Sequence, residues 1–460
     1  MYFEQITTPG LGCFSYVVGC PGAGVMMVVD PRRDTDIYLR IAEQYNMRIT
    51  HIFDTHIHAD HISGAQQLRA ETNADVYIHE SAPVSYKAKR IKDGDEFTFG
   101  NAYVRILHTP GHTPESISLL ISDLARSKKP EMILTGDLLF VGDIGRPDLP
   151  GAEILDEQIE NLYNSLYKVL GELPDYLEVY PGHGQGSLCG QGMSAKPLST
   201  LGYERLTNPM MQYCNFADFK QVILSNLPMR PQSFSGIISG NMNEVSIIPM
   251  CEDLSKYALS AEAVNELHKN GTTLLDLRDA LSFSAAHIPG SINVDASSSS
   301  MLNWIGVVVP PGTPLVLILP NDKSFEEMQL ELQRIGYDTI IGWLKGGIHA
   351  WLDKGFKTLD LLHISVSNLQ KLISGANSPA LIDVRTPKEF EKMNIVGAIN
   401  YPFDQILETD NLCDILNKES VIVCQSGFRA SIAASLLQAK GYSGISVLSG
   451  GMNAWKTYNK

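Results

Sequence analysis

The stretch Thr55-His56-Ile57-His58-Ala59-Asp60-His61 decides how this chain is organised. It places three imidazoles and one carboxylate directly after the strand-like run 49–55. A helix would spread these side chains around its axis, whereas a loop can direct all of them at one point. Neutral imidazole and carboxylate are ligands for zinc, iron and manganese alike. The stretch therefore predicts a metal-binding loop.

Three more candidate ligands follow at wide intervals, as a metal site assembled from several loops requires. His112 lies in Thr-Pro-Gly-His-Thr, Asp137 in Thr-Gly-Asp and His183 in Tyr-Pro-Gly-His. Each follows a run typical of a β-strand, at 103–107, 132–135 and 177–180 respectively. The Pro-Gly pairs predict sharp turns that let the backbone approach an ion. All three side chains are therefore expected at strand ends.

Together these residues match an HxHxDH…H…D…H pattern, and over residues 1–250 the chain resembles the metallo-β-lactamase superfamily. The resemblance implies an αββα sandwich with its metal site at one edge of the paired sheets. Further strands are expected at 15–18, 25–30 and 75–79, and helices at 35–45, 63–72 and 152–170. Residues 208–230 are expected to finish this domain as a partner-facing or core-covering helix.

A glycine- and proline-rich loop, Gly142-Asp-Ile-Gly-Arg146-Pro-Asp, begins five residues after Asp137. Loops of this kind frequently carry binding residues. We expect it to hold the basic side chain of Arg146 on the rim of the metal site.

Length and composition limit the remaining possibilities. At 460 residues the chain is too long for one core, and roughly two to four domains are expected. Its 44% hydrophobic and 19% charged residues are typical of soluble globular proteins. A net charge of −15 argues against nucleic acid or an anionic membrane as partner, since both need a basic face.

Cysteine usage and the amino terminus favour a cytoplasmic protein. The start, Met1-Tyr-Phe-Glu-Gln5, lacks the regions of a signal peptide, and the apolar run 307–319 is too short to span a bilayer. The seven cysteines show no CxxC pair and predict reduced thiols. For Cys20 and Cys189, a packing role and a reactive role both stay open.

The second half of the chain contains an internal repeat. Asp276-Leu-Arg recurs 107 positions later as Asp383-Val-Arg, and the Gly-Gly segment ending in Trp351 recurs before Trp455. The repeat predicts two α/β domains with parallel sheets covered on both faces. The expected domain bounds are 1–250, 255–358 and 361–460.

The second copy carries the sequence Cys424-Gln-Ser-Gly-Phe-Arg429 between a strand at 420–423 and a helix at 430–440. At such a turn, backbone N–H groups and the positive helix end stabilise an anionic sulfur, and Arg429 adds a fixed charge. The CxxGxR loop resembles that of rhodanese sulfurtransferases, which implies a persulfide carried on Cys424. The first copy reads Leu-Pro-Asn-Asp-Lys-Ser at 319–324, has no thiol there, and is expected to be catalytically silent.

A metallo-β-lactamase domain fused to two rhodanese domains resembles persulfide dioxygenases, which oxidise a thiol-bound sulfane sulfur with O₂ to sulfite. The resemblance implies one Fe(II) per chain, held by His56, His112 and Asp137. The remaining four candidate ligands would form a second metal site or support the first: His58, Asp60, His61 and His183. Arg146 matches an arginine that this family places near the thiol substrate.

Two alternatives remain open. A glyoxalase-II-like thioester hydrolase would use all seven ligands for two metals, zinc included, with Asp137 bridging. A sulfur carrier with a structural metal is disfavoured, because structural zinc sites are usually rich in cysteine. The expected partners are a low-molecular-weight thiol persulfide, O₂ and sulfite or thiosulfate, in a homo-oligomer. The identity of the thiol and the direction of sulfur flow stay open.

Overall fold

The computed structural model describes residues 1–190, 192–213, 215–227, 230–249, 253–375, 378–408 and 419–459. It divides into two compact units, which are described separately. The first comprises Met1–Cys251, Val309–Pro311 and Leu330–Tyr337, and the second comprises Glu252–Val308, Gly312–Gln329 and Asp338–Lys460. The second unit thus contains most of both repeat copies, and the three domain bounds expected from the sequence stay a prediction.

Two six-stranded sheets form the first unit, each with its strands in sequence order. The strands of the first sheet are β1 (Tyr2–Thr8), β2 (Cys13–Cys20), β3 (Val25–Val29), β4 (Arg48–Phe53), β5 (Asp75–His79) and β6 (Lys89–Ile91). Those of the second sheet are β7 (Glu96–Phe99), β8 (Ala102–His108), β9 (Ile117–Asp123), β10 (Met132–Gly136), β11 (Glu178–Pro181) and β12 (Ser199–Thr200). Every residue of β2 is buried, as expected of a strand with both faces covered.

The described residues up to 249 contain six α-helices: α1 (Asp36–Gln44), α2 (Ala65–Thr72), α3 (Leu155–Asn164), α4 (Leu201–Thr207), α5 (Phe216–Ser225) and α6 (Ser233–Met242). Tyr38 of α1 and Leu68 of α2 pack on the outer face of the first sheet. Side chains such as Val18 and Val104 fill the space between the sheets. Leu162 of α3 packs with α5 on the outer face of the second sheet. These four layers confirm the αββα sandwich.

Two helix predictions need correction. The helix expected at 152–170 is α-helical only over Leu155–Asn164, because a 3₁₀ turn precedes it and a π-helical turn, Ser165–Val169, follows. The segment 208–230 is a 3₁₀ turn, Pro209–Met211, followed by α5, and its residues 214, 228 and 229 lie outside the described residues. Phe219 and Ile223 of α5 are buried in the core, so the described part of this segment covers the core.

Each repeat copy contains a five-stranded, wholly parallel sheet, which confirms the prediction from the sequence. The first has the order β13-β17-β16-β14-β15, from β13 (Ala258–Leu259), β14 (Thr273–Asp276), β15 (Ile292–Asn293), β16 (Leu315–Ile318) and β17 (Ile340–Leu344). The second has the order β18-β22-β21-β19-β20, from β18 (Leu362–Ile364), β19 (Ala380–Asp383), β20 (Ile399–Asn400), β21 (Ser420–Val423) and β22 (Ile445–Leu448).

The helices of the first copy are α7 (Ala261–Lys269), α8 (Ala280–Ala285), α9 (Met301–Val308), α10 (Phe325–Arg334) and α11 (Gly347–Asp353). Those of the second copy are α12 (Val366–Ile373), α13 (Pro387–Lys392), α14 (Phe403–Glu408), α15 (Phe428–Ala439) and α16 (Gly451–Tyr458). Among the described residues, no helix combines the length and the apolar character needed to cross a membrane.

Candidate functional sites

The candidate metal ligands lie in loops that leave the carboxyl ends of four strands, β4, β8, β10 and β11. Because β10 and β11 run parallel, their carboxyl ends meet at one edge of the second sheet. This topology brings the loops of Asp137 and His183 together, and it confirms that the four motif segments follow strands.

Three side chains converge at this edge: His56, His112 and Asp137. Their ligand atoms lie within 4.8 Å of one another, and all three side chains are buried. The Nε2 atom of His112 is 3.5 Å from Oδ2 of Asp137, and the Nε2 atom of His56 is 3.9 Å from the same oxygen. A metal with bonds of about 2 Å holds adjacent ligands about 3 Å apart, which is close to these separations.

Hydrogen bonds fix which atom each of the two histidines presents. Thr55 donates its N–H and its hydroxyl to the two carboxylate oxygens of Asp30, at 2.7 and 2.8 Å. The Thr55 hydroxyl oxygen can therefore accept from Nδ1–H of His56 at 2.9 Å. Nδ1 of His112 lies 2.8 Å from the carbonyl oxygen of Arg146, which can only accept. Both imidazoles are thus held with Nε2 as the unprotonated atom, the tautomer that a metal requires.

Burial also favours the neutral form of His56 and His112, the form that binds a metal. Desolvation lowers the pKa of His56 and His112, because a buried imidazole loses the hydration of its charged form. Burial raises the pKa of Asp137, but the surrounding histidines outweigh burial and lower it overall. Two neutral imidazoles and one carboxylate therefore face each other at neutral pH.

The donor atoms fit a divalent metal ion. Nε2 of His112 and Oδ2 of Asp137 are buried and have no hydrogen-bond partner among the described residues. Leaving buried polar atoms without a partner costs about 1–3 kcal/mol for each group. A metal bound between them would satisfy both atoms at once.

Three further motif residues, Asp60, His61 and His183, are linked to each other and to Asp137 by hydrogen bonds. His183 contacts Oδ1 of Asp137 through Nδ1 at 2.6 Å and Oδ2 of Asp60 through Nε2 at 2.7 Å. Asp60 also contacts Nδ1 of His61 at 3.0 Å, and the thiol of Cys13 donates to it at 3.0 Å. Burial opposes the charge on His183, but the neighbouring carboxylates outweigh it and raise its pKa. A protonated His183 donates to both carboxylates and keeps Oδ1 of Asp137 occupied.

His58 belongs to neither group. Its Nε2 atom lies 3.2 Å from Oδ1 of Asp30, and the potential ligand set nearest to it consists of Asp30 and Asp54. The structure therefore divides the seven motif residues into the set His56, His112 and Asp137, the linked set Asp60, His61 and His183, and His58 on its own. The ligand atoms of the linked set, together with Sγ of Cys13, also lie within 4.8 Å of one another and could hold a metal ion.

Two glycines allow the loops to crowd around Asp137. A Cβ atom on Gly145 would lie 1.8 Å from the carbonyl oxygen of Asp137, and one on Gly182 would lie 2.5 Å from Oδ1 of Asp137. Real Cβ atoms do not approach so closely, so both positions need glycine. The Pro-Gly pair before His183 thus brings its loop close to Asp137, and the expected approach of this backbone to an ion stays a prediction.

The side chain of Arg146, expected from the sequence on the rim of the metal site, is buried. Only 4% of its surface is exposed, and it forms a bidentate ion pair with Asp148 at 2.7 and 2.6 Å. It does line a cavity of about 230 Å³ together with Cys189, Met210 and Leu227. The basic side chain is thus next to a cavity, but a carboxylate from its own loop already neutralises it.

The described cysteines outside the CxxGxR loop are buried free thiols. Burial raises the pKa of Cys189 well above its usual range, which favours packing over reactivity. Backbone N–H donors, first that of Asn101, lower the pKa of Cys20. Cys214, Cys251 and Cys413 lie outside the described residues.

The CxxGxR loop links β21 to α15, which begins at Phe428 rather than at residue 430 as expected. Gly427 has φ of +99° and donates its N–H to Sγ of Cys424 at 3.1 Å. The thiol is buried at the amino end of a twelve-residue helix, where the helix dipole favours negative charge.

Arg429 is held by a residue that the sequence alone did not indicate. Its two terminal nitrogens donate to the two carboxylate oxygens of Glu389, at 2.9 and 2.6 Å. Glu389 also accepts from the backbone N–H and hydroxyl of Thr386, which completes a capping box at the start of α13. An acidic residue three positions after a threonine is a signal of such a box, but not of the contact with Arg429.

Other supporting residues were also not found from the sequence. Asp30 orients Thr55, and Oε1 of Glu115 accepts the N–H of Ile57 at 2.9 Å. Asp30 has φ of +50°, a conformation that aspartate tolerates better than most residues. An aspartate just after a strand and before a proline is a weak signal of this kind.

Models of two protein families match the chain. The metallo-beta-lactamase superfamily model matches residues 8–183, and the rhodanese-like domain model matches residues 260–354 and 365–458. The matched regions contain the metal loops and both repeat copies.

Individual relatives agree with these models. The protein named persulfide dioxygenase ETHE1, mitochondrial, from Bos taurus is 26% identical over 240 residues, which cover 52% of this chain and 87% of the relative. The hydroxyacylglutathione hydrolase of Nitrosococcus oceani is 30% identical over 187 residues, which cover 40% of this chain and 66% of the relative. The crystal structure of a metallo-beta-lactamase from Staphylococcus aureus is 32% identical, covers 75% of this chain and 98% of its own, and has a TM-score of 0.67. This chain belongs to the metallo-beta-lactamase superfamily, with two rhodanese-like domains following its metallo-beta-lactamase domain.

Proposed function

We propose that this chain is an iron-dependent persulfide dioxygenase fused to a rhodanese-type sulfurtransferase. A low-molecular-weight thiol persulfide, O₂ and water would give the free thiol and sulfite. The observation that carries the proposal is that the buried ligand atoms of His56, His112 and Asp137 converge, and that Nε2 of His112 and Oδ2 of Asp137 have no hydrogen-bond partner among the described residues. The second close group, Asp60, His61 and His183 with Cys13, already has hydrogen-bond contacts among its own members.

His56, His112 and Asp137 would hold one Fe(II). Two histidines and one carboxylate leave coordination positions open, the arrangement that non-haem iron oxygenases use. Iron supplies the redox chemistry and the O₂ binding that zinc lacks. The match to a relative named persulfide dioxygenase over 87% of that protein supports this choice.

The contacts around the three side chains prepare them for this role. Thr55 and the Arg146 carbonyl orient the two imidazoles, and His183 leaves Asp137 only Oδ2 for the metal. Such supporting hydrogen bonds typically change metal affinity or activity by about 10–100-fold. Asp137 would then be a terminal ligand rather than a bridge between two metals.

The cavity beside Arg146 would take the thiol carrier. Its wall includes the apolar side chains Met210, Val222, Ile223 and Leu227, with Arg146 as the basic group. A carboxylate or phosphate on the carrier would compete with Asp148 for the guanidinium, whose fork geometry suits bidentate anions. The proposal keeps the cytoplasmic location and the homo-oligomer expected from the sequence.

Cys424 would carry sulfane sulfur as a persulfide. The Gly427 N–H and the amino end of α15 would stabilise the terminal anionic sulfur, with Arg429 fixed nearby by Glu389. The first repeat copy has Asn321 as the cap of a 3₁₀ turn at the corresponding place, and it would play no part in this chemistry.

Metal analysis of protein purified without oxygen tests the proposal. We expect about one iron per chain and O₂ consumption that depends on a thiol persulfide, since the proposed centre has three ligand side chains. Asp137→Ala should lose both, because it removes the only carboxylate of the set. O₂ consumption that persists in this variant would contradict the assignment of the centre.

A hydroxyacylglutathione-hydrolase-like activity is the second candidate, because such a hydrolase is 30% identical over part of the chain and all seven motif residues are present. It predicts two zinc ions per chain and hydrolysis of a glutathione thioester. The same metal analysis, followed by a thioester hydrolysis assay, separates it from the dioxygenase.

A further inference from the structure

We propose that Asn241 is a positioning residue of the metal site, acting from outside the motif on the backbone of the loop 58–63. Asn241 lies near the end of α6, well beyond residues 8–183 that match the superfamily model. Its side chain is 6% exposed and uses its amide for three hydrogen bonds to the metal loop.

The three hydrogen bonds span the second half of the loop. The Nδ2 group of Asn241 donates to the carbonyl oxygens of His58 and His61, at 2.9 and 2.8 Å. Its Oδ1 atom accepts the backbone N–H of Ser63 at 2.9 Å. One side chain thereby satisfies three buried backbone groups of an irregular segment, which has no strand or helix to satisfy them.

Apolar contacts bring α6 to the loop. Phe234 and Ile238 pack in a small cluster with Ala59 of the loop and Leu149. A Cβ atom on Gly240 would lie 2.8 Å from Cδ1 of Ile62, so the helix lies in contact with the loop and a larger residue there would displace the tip of the Ile62 side chain. The position of Asn241 is therefore set by packing on both sides of it.

The position of the loop backbone affects the proposed ligand Asp137 through Asp60 and His183. His58 and His61 flank Asp60, so fixing their carbonyls fixes the peptide turn that carries the Asp60 carboxylate. Asp60 holds Nε2 of His183, and His183 holds Oδ1 of Asp137. Asn241 would thus determine how steadily Asp137 presents Oδ2, although Asn241 itself lies too far along this series of contacts to be a ligand.

Only an amide has the required donors and acceptor. Asn241→Asp keeps the shape and the acceptor for Ser63, but it replaces both donors and directs a carboxylate at two carbonyl oxygens. Such a change at a supporting residue is expected to weaken metal binding about 10–100-fold. The inference rests on the proposed function only for the choice of ligands, not for iron or for persulfide.

The test is the rate at which a chelator removes metal from the full-length protein, measured separately with Fe(II) and with Zn²⁺. Asn241→Asp should raise this rate about tenfold or more with both metals. Asn243→Asp is the matched control: Asn243 is exposed at the end of the same helix and bonds Ser239 and Ser85 rather than the metal loop. It should release metal at the parental rate.

Ile237→Val separates positioning from loss of stability. It removes one methylene from a buried side chain of α6 and leaves the three hydrogen bonds in place. The inference is wrong if both Ile237→Val and Asn241→Asp raise the metal-release rate in the same proportion to their loss of melting temperature. It is also wrong if Asn241→Asp releases metal as slowly as Asn243→Asp. If Asn241→Asp alone loses Zn²⁺ rapidly while the parent shows no persulfide-dependent O₂ consumption, the inference stands and the proposed function falls.

Discussion

A carboxylate can bind one metal ion or bridge two, and we expect the hydrogen bond at Oδ1 to limit Asp137 to one. His183 occupies that oxygen at 2.6 Å and is itself held by Asp60. Asp60→Ala removes a residue that a two-metal site needs but that a one-metal site uses only for support. We expect the variant to keep about one metal per chain, with turnover reduced about tenfold because Asp137 is less firmly held.

Metal content by elemental analysis and persulfide-dependent O₂ uptake check this expectation. The variant His51→Ala changes a partly exposed histidine of β4 that belongs to none of the candidate metal clusters among the described residues, and it serves as a control for histidine-dependent metal pick-up. A fall from two metals to one in Asp60→Ala would instead support the hydrolase.

The ion pair between Arg146 and Asp148 gives a second prediction at the residue scale. Substitution of the two residues should change the KM for the thiol persulfide in opposite directions. If the carrier anion binds the guanidinium, Arg146→Ala should raise KM for the thiol persulfide several-fold with little change in kcat, the mark of lost uniform binding. Asp148→Asn removes the competing carboxylate and should lower KM. Steady-state kinetics of both variants decide the matter, and changes of the same sign would leave Arg146 only a structural role.

For these residues the sequence predicted which side chains could bind a metal better than it predicted their burial and contacts. Closely spaced histidines and aspartates in a short loop after a strand are typical of metal ligands, so the motif can be recognised before its geometry is known. The burial of Arg146 was not predicted, since a charged residue in a glycine-rich loop is normally exposed, and here Asp148 compensates its charge from two positions away. Asn241 gave no signal, because its role depends on where α6 packs.

At the scale of elements, α13 and α15 are joined by one carboxylate. Glu389 caps α13 with Thr386 and also binds both terminal nitrogens of Arg429 on α15. Glu389→Ala should lower kcat/KM for thiosulfate:thiol transfer about tenfold, since the lost charge-assisted pair is worth on the order of 1.5 kcal/mol. O₂ uptake at the metal site should stay at the parental value.

Thr386→Ala is the matched control, because it weakens the cap of α13 by about 1 kcal/mol but leaves Glu389 on Arg429. Equal losses of transfer activity in both variants would mean that helix stability alone matters.

The ion pair between Glu389 and Arg429 should also persist at low pH. Partial burial raises the pKa of Glu389, but Arg429 outweighs it and lowers the pKa to about 2. The stabilising charge is fully present above the ordinary value of 4.5 and is lost only as pH falls through about 2, so transfer should show no acid limb from Glu389 above about pH 5.

The strands and helices that sequence patterns predicted are present in the structure, but most of their ends differ. The strand at 75–79 was predicted at its observed bounds, because a β-branched and aromatic run there is followed by a turn. The helix at 152–170 was predicted as one element, yet it changes to a π-helical turn at Ser165, whose hydroxyl donates to the carbonyl of Pro110 at 2.7 Å. The apolar periodicity of the sequence continues through this residue and therefore does not mark the change of helix type.

At the scale of the second unit, the copy without a nucleophile packs against the copy that has one. Residues Ala430–Leu437 of α15 are buried on every side, which a helix tolerates only when it is covered all round. The backbone N–H of Asn293 in the first copy donates to the hydroxyl of Ser435 at 3.1 Å, and Gln438 donates to the carbonyl of Asp360. The first copy, which has no cysteine at the corresponding place, thus covers the helix that starts at the Cys424 loop.

For the whole molecule, we expect the two chemistries to work in sequence. Sulfane sulfur on Cys424 combined with sulfite from the metal site gives thiosulfate, and the reverse transfer from thiosulfate to a thiol gives new persulfide. Fusion keeps both steps on one chain, where a tether raises the local concentration of a reactive intermediate when the geometry permits. A single substitution at Cys424 removes the sulfur-carrying thiol and leaves every proposed metal ligand in place.

Cys424→Ser, supplied with thiol persulfide and O₂, tests this coupling. The variant should consume O₂ at about the parental rate, because Cys424 belongs to none of the candidate metal clusters in the described residues. Its products should shift from thiosulfate towards sulfite, and thiosulfate:thiol transfer should fall by orders of magnitude, since an alcohol is a far weaker nucleophile than a thiolate near neutral pH. Sulfite and thiosulfate can be quantified after thiol derivatisation, with metal content measured on the same sample. An unchanged ratio of thiosulfate to sulfite, at unchanged metal content, would mean that the carboxy-terminal domain does not act on the sulfur that the metal site oxidises.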